Sequence, residues 1–129
     1  MDTETIAHGL ATWKAIERSL ASVLAEDDLR VDQWRLLTLL RERPGLYMGE
    51  VAEALSLPNA STTRLVDDMA SSSLVFRAPA PEDGRKAVVY LSRTGRERLA
   101  RADAVVAARF EGLDAQALDR APDRAVETS

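Results

Sequence analysis

Asn59, Ser61, Thr62, Thr63 and Arg64 form a run of short hydrogen-bonding side chains ending in a long cation, interrupted only by Ala60. These residue types read DNA. Arginine or asparagine meets base edges bidentately, while hydroxyls and amides meet phosphates. Further along, the polar stretch Glu82-Asp83-Gly84-Arg85-Lys86 offers two more cations, Arg85 and Lys86, placed to reach the backbone or the minor groove. Other chemistry finds little support. There is no cysteine and a single histidine, His8, so disulfides, thiolate metal sites and a histidine zinc site fall away. No nucleophile–base set, phosphate loop or metal-ligand spacing is present, and Glu50 and Glu53 read as a solvated helix face rather than an acid–base pair. Neither enzymatic activity nor a cofactor or metal is expected.

The elements that must position these residues follow from periodicity. Ile6, Leu10, Trp13, Ile16, Leu20, Val23 and Leu24 recur at threes and fours, which predicts a long first helix. Its stripe exceeds what a monomer normally leaves wet, which favours packing on a second subunit. A helix over 32–43 has leucines on more than one side and ends at Pro44-Gly45. A short strand, Leu46-Tyr47, leads into two helices, 48–55 and 59–70, joined by Ser56-Leu57-Pro58. Proline is well placed there, since the first helical turn needs no N–H. Leu65, Val66 and Met69 anchor the second of these helices, so residues 61, 62 and 64 are expected to face a partner. A hairpin is predicted from 75–78 and 87–91 around the cationic tip, and a last long helix from Arg93 to Leu113, capped by Ser92. Gly95 in its first turn is expected to weaken it only slightly. Trp13 and Trp34 read as core rather than as pocket lining.

Composition sets the frame. A chain of 129 residues is expected to form one domain with its own core. Aromatics are only 5%, so that core must rest on aliphatic residues, which leans towards helices. The net charge of −4 argues against nucleic acid if taken alone. Between Ser56 and Arg96, however, six cations face four acids, leaving +2 there and −6 elsewhere. A mildly basic face on an acidic body fits a DNA binder of local, modest attraction. No apolar run is long enough to span a bilayer, and a soluble cytoplasmic protein is expected.

The wing segment, Asp83-Gly84-Arg85-Lys86-Ala87-Val88-Val89-Tyr90-Leu91-Ser92-Arg93-Thr94-Gly95, resembles that of the MarR family, as does the upstream Ser61-Thr62-Thr63-Arg64-Leu65-Val66-Asp67. The resemblance covers residues 4 to 113. It implies a mainly α fold with a small β-hairpin wing: a winged helix-turn-helix flanked by long N- and C-terminal dimerisation helices. The corresponding divisions are 1–29, 30–92 and 93–129. It further implies a homodimer with Ile6, Leu10, Trp13, Val106, Phe110 and Leu113 in the interface. Double-stranded DNA carrying an inverted repeat would be the partner, with recognition helices roughly 34 Å apart. Arg77 would pair with Asp83 to hold the wing. A transcriptional regulator, most often a repressor, is the implied function, released by a small aromatic effector. Three departures stand out: Ser73 where glycine is common, Asp68 where a basic residue is frequent, and Pro122 in the C-terminal segment. The acidic total and Asp68 motivate the alternative, a winged-helix protein-interaction module without DNA binding.

Overall fold

The computed structural model describes residues 1–112. Eight elements follow in order: α1 (Thr3–Ala25), α2 (Val31–Glu42), β1 (Leu46–Tyr47), α3 (Met48–Leu55), α4 (Asn59–Ser71), β2 (Val75–Pro79), β3 (Ala87–Leu91) and α5 (Arg93–Arg109). They form a winged helix-turn-helix, and the chain divides into two compact units. One holds residues 1–31 with the chain from Ala104; the other is Asp32–Asp103.

In the first unit, Asp2 starts α1 by accepting the Thr5 N–H at 2.7 Å. That hydrogen bond to the charged form holds the Asp2 carboxyl below its ordinary range. The stripe expected along α1 is divided in two. Val23 and Leu24 are buried, whereas Ile6, Leu10 and Trp13 are all more than half exposed. Val105 in the last turns of α5 is also exposed. The helix expected to run to Leu113 stops at Arg109, so Phe110 lies in a turn ahead of Gly112 at φ +88°. Leu113 and Pro122 lie outside the described residues.

In the second unit, the antiparallel sheet has the order β1-β3-β2. Leu46 pairs with Val89 and Val75 with Leu91, which puts these four buried aliphatics on one face. With Leu36, Leu37 and Leu40 of α2, Val51 and Leu55 of α3, Leu65, Val66 and Met69 of α4, and Leu99 of α5, they make an aliphatic core. Each fully buried leucine contributes roughly 1.5–3 kcal/mol. Pro79 ends β2 on the sheet edge, where the ladder does not need its missing N–H. Trp34 is half-buried and donates its indole N–H to Asp103 at 3.0 Å, and Arg41 pairs with the same carboxylate.

Three helices end in the same way without glycine. Asp28, Ser56 and Ser73 adopt left-handed φ values of 58°, 55° and 62° after α1, α3 and α4. In each case the next N–H reaches back five residues: Leu29 to Leu24, Leu57 to Ala52, and Leu74 to Met69. This is the Schellman arrangement, in which a Cβ at the left-handed position costs about 1 kcal/mol. Ser73 is where the sequence departs from the common glycine, and the corner keeps the conformation glycine prefers. Ser73→Gly is therefore expected to stabilise the protein by about 0.5–1 kcal/mol after the added freedom of the unfolded chain is offset. Urea titration followed by circular dichroism measures it; an unchanged or lower midpoint would mean that the serine is not strained.

Candidate nucleic-acid interface

Pro58 sits just before α4 with an extended backbone (φ −59°, ψ 153°), and its carbonyl accepts the Thr62 N–H at 3.0 Å. From that start the 3.6-residue period turns positions 62, 65, 66 and 69 inward. Thr62 is consequently only 1% exposed, and its hydroxyl also donates to the Pro58 carbonyl at 3.0 Å. The expectation that Thr62 faces a partner is corrected: it extends the Leu65–Val66–Met69 stripe. Its spacing to those residues was visible in the sequence, but its polar character pointed the other way. Asn59, Ala60, Thr63 and Arg64 occupy the exposed side, with Ser61 half-buried. Thr63 donates its hydroxyl proton to the Asn59 carbonyl at 3.0 Å. Arg64 is exposed and enters no ion pair among the described residues, so the surface pairing with Asp67 or Asp68 is not made.

The wing is attached differently from the expectation. Arg77 pairs with Asp67 of α4, not with Asp83. Register explains this: Arg77 lies opposite Val89 and two residues from Val75, so it shares the helix-facing side of the sheet. Both partners are substantially exposed, and such a pair contributes little to stability. Its effect is directional, tying the edge strand of the wing to the middle of the recognition helix. Asp67 is the functional residue that sequence reading missed, and the alternation of the strand was the available signal.

Asp83 has a local task instead. Its carboxylate accepts the Arg85 backbone N–H at 3.1 Å and the Arg85 Nε–H at 3.2 Å, an Asx-type closure of the tip. Ala80 and Lys86 close the base of the loop, with the Ala80 N–H donating to the Lys86 carbonyl at 2.9 Å. Arg85 projects almost completely into solvent, its side chain 92% exposed. Lys86 lies at the other side of the tip, with Nζ 5.7 Å from the centre of the Tyr47 ring. A shallow notch there is lined by Tyr47, Glu50, Glu53 and Lys86. Both wing cations thus have carboxylates nearby, Arg85 in contact with Asp83 and Lys86 on a notch shared with Glu50 and Glu53. The outward side of the hairpin carries Phe76 stacked on Tyr90, ring centres 5.3 Å apart.

Among the described residues no cluster of acidic, histidine or cysteine side chains is arranged to hold a metal ion, and no helix is long and apolar enough to cross a membrane. The arrangement is a polar helix face carrying Arg64, which holds no ion pair among the described residues, beside a β-loop whose tip presents the exposed Arg85 braced by Asp83. Such a pair of projections matches the geometry by which winged helices engage a duplex.

Comparison with known proteins agrees. A MarR family model matches residues 27–86, from the end of α1 to the wing tip. The HTH-type transcriptional repressor IacR of Pseudomonas putida is 29% identical over 94 residues, covering 73% of this chain and 56% of its own. The chain spans about half the length of the curated relatives it matches. Among solved structures, wild-type apo MarR from E. coli superposes with a TM-score of 0.75 at 22% identity, over 90% of this chain and 88% of that one. The transcriptional repressor CouR bound to a 23-mer DNA duplex gives 0.68 at 28% identity, over 71% of this chain and 65% of its own. The matched segment contains the recognition helix, the first strand of the hairpin and its tip, and the fold around them is that of solved MarR proteins: over residues 27–86 the chain matches the MarR family, and its fold is a winged helix-turn-helix.

Proposed function

We propose that this protein is a dimeric, sequence-specific DNA-binding transcriptional regulator, acting as a repressor, whose hold on DNA responds to a small aromatic ligand. The observation that carries the reading is the side-by-side projection of α4 and the wing, linked by Arg77–Asp67. In this reading Asn59, Ser61, Thr63 and Arg64 approach the major groove, while Arg85 and Lys86 approach the adjoining backbone or minor groove. Asp83 keeps Arg85 in place. The likeness to CouR on its duplex supports the DNA partner. CouR bound to p-coumaroyl-CoA, at 25% identity and a TM-score of 0.67, supports the effector class.

Purified protein mixed with fragmented genomic DNA is expected to retain a small set of fragments sharing an inverted repeat. Affinity for those fragments should fall steeply with salt, because each phosphate contact releases counterions. Equal retention of all fragments would refute sequence-specific regulation.

Dimerisation follows from the exposed part of α1. Ile6, Leu10 and Trp13 lie along one side of the helix in water, an apolar strip that a second copy would cover. Val106 and Phe110, each half-buried, stand with them as interface residues. A two-fold axis makes every substitution count twice. Trp13→Glu is expected to raise the dimer dissociation constant on the order of 100-fold or more, as loss of a central aromatic anchor does. Sedimentation velocity across a concentration series reads this directly, and a variant that remains dimeric at the same concentrations would place the interface elsewhere.

A further inference from the structure

The exposed face of α4 has few hydroxyl protons to offer. Thr62 is buried with its hydroxyl on the Pro58 carbonyl, and Thr63, although exposed, gives its proton to the Asn59 carbonyl. With its proton committed to the Asn59 carbonyl, the Thr63 hydroxyl can only accept from a partner, and its Cγ2 methyl is the apolar group that this exposed residue offers. Ala60 is exposed three residues earlier, and Arg64 follows Ala60 by four. Residues at these separations are neighbours on a helix surface. The methyl groups of Ala60 and Thr63 are therefore neighbours on the exposed side, and Arg64, which holds no ion pair among the described residues, neighbours Ala60. In the major groove only thymine presents a methyl group, at C5, while guanine presents the paired acceptors that arginine grips.

We infer that Ala60 and Thr63 recognise thymine through its C5-methyl group, and that each half-site carries this thymine next to the base pair read by Arg64. The inference rests on the DNA-binding reading above and adds to it the base chemistry of the half-site. Thr63 is then a specificity residue through its methyl, not through its hydroxyl.

The test uses the full chain and a duplex that it selects from a random-sequence pool. That duplex is resynthesised with deoxyuridine replacing thymine in the half-sites, which removes the methyl and keeps every base-pairing group. Binding of both duplexes is followed by fluorescence anisotropy. The uracil duplex is expected to bind about fourfold more weakly for each thymine methyl taken out of the interface, and about 15-fold more weakly when one is taken out of each half-site. Thr63→Ser keeps the hydroxyl and its bond to Asn59 but drops the methyl, so its preference for thymine should shrink by about that factor. Thr63→Val keeps a methyl and drops the hydroxyl, so its preference should persist. Thermal melts of both variants confirm folding. Equal binding of thymine and uracil duplexes by the wild type would overturn the inference while leaving the regulator reading intact. The same holds if Thr63→Ser keeps the full preference and Thr63→Val loses it. Failure to enrich any sequence from the pool would overturn both.

Discussion

Arg64→Ala is expected to weaken binding to the selected duplex by at least about 30-fold while changing affinity for random duplex far less. A good arginine contact to a base edge is worth about 1–3 kcal/mol, and a symmetric dimer loses it in both half-sites. The site explains why the loss falls on binding alone. Arg64 is exposed and holds no ion pair among the described residues, so its removal should leave stability within about 0.5 kcal/mol. Arg64→Lys separates the two ways an arginine can act. Lysine keeps the charge but lacks the planar fork, so it should restore attraction to any duplex and not discrimination. Anisotropy titrations on selected and random duplexes measure both quantities. If Arg64→Lys recovers discrimination in full, Arg64 is a phosphate contact and the bases are read by other residues.

Gly95→Ala is expected to destabilise the fold by about 3 kcal/mol, although alanine is the better helix former. In an exposed helix interior the same exchange would gain up to about 1 kcal/mol. At Gly95, however, an added Cβ would lie 2.0 Å from the Leu74 carbonyl oxygen and 2.7 Å from Leu91 Cδ1. The obstacle is backbone, and that backbone is anchored. Ser92 donates its N–H to the Leu74 carbonyl at 3.1 Å and its hydroxyl to the Ser73 carbonyl at 2.6 Å. The Gly95 N–H in turn donates to the Ser92 Oγ at 2.9 Å. α5 cannot back away without breaking this junction, and overpacking of that kind costs about 1–3 kcal/mol or more. Gly9→Ala in α1 is the control, since nothing lies within 4 Å of a Cβ there and a gain of up to about 1 kcal/mol should result. Urea unfolding of both variants at one protein concentration tests the pair. A Gly95→Ala protein as stable as the wild type would show that α5 and the Ser73–Leu74 corner can separate freely.

The outline of the fold was legible because its elements announce themselves locally. The threes and fours of α1, the leucines of α2, Pro44-Gly45 and the proline at the start of α4 place helices and breaks without reference to anything distant. The hairpin was readable for the same reason, with alternating apolar residues on each side of a polar tip. Ser92 as the cap of α5 also belongs here, since capping is a three-residue event. The polar run at 59–64 and the wing cations could likewise be proposed for an interface from their types alone, although Thr62 within that run is buried.

Which of those residues actually face outward depended on depth and distance between elements. Thr62 could end a polar face or an apolar stripe, and only the packing of α4 onto its neighbours turned it inward. Arg77 had Asp83 close in sequence and Asp67 ten residues away, yet the pleat of β2 aimed it at the helix. Gly95 looked like a mild helix weakener until the Leu74 carbonyl stood where its side chain would be. Sequence by itself determined the elements, their order and the chemical character of the exposed face, because periodicity, capping and turn chemistry act within a few residues. Tertiary structure alone decided the orientation of single side chains and the contacts across elements, because those depend on ångström-scale separations between segments that no local pattern encodes.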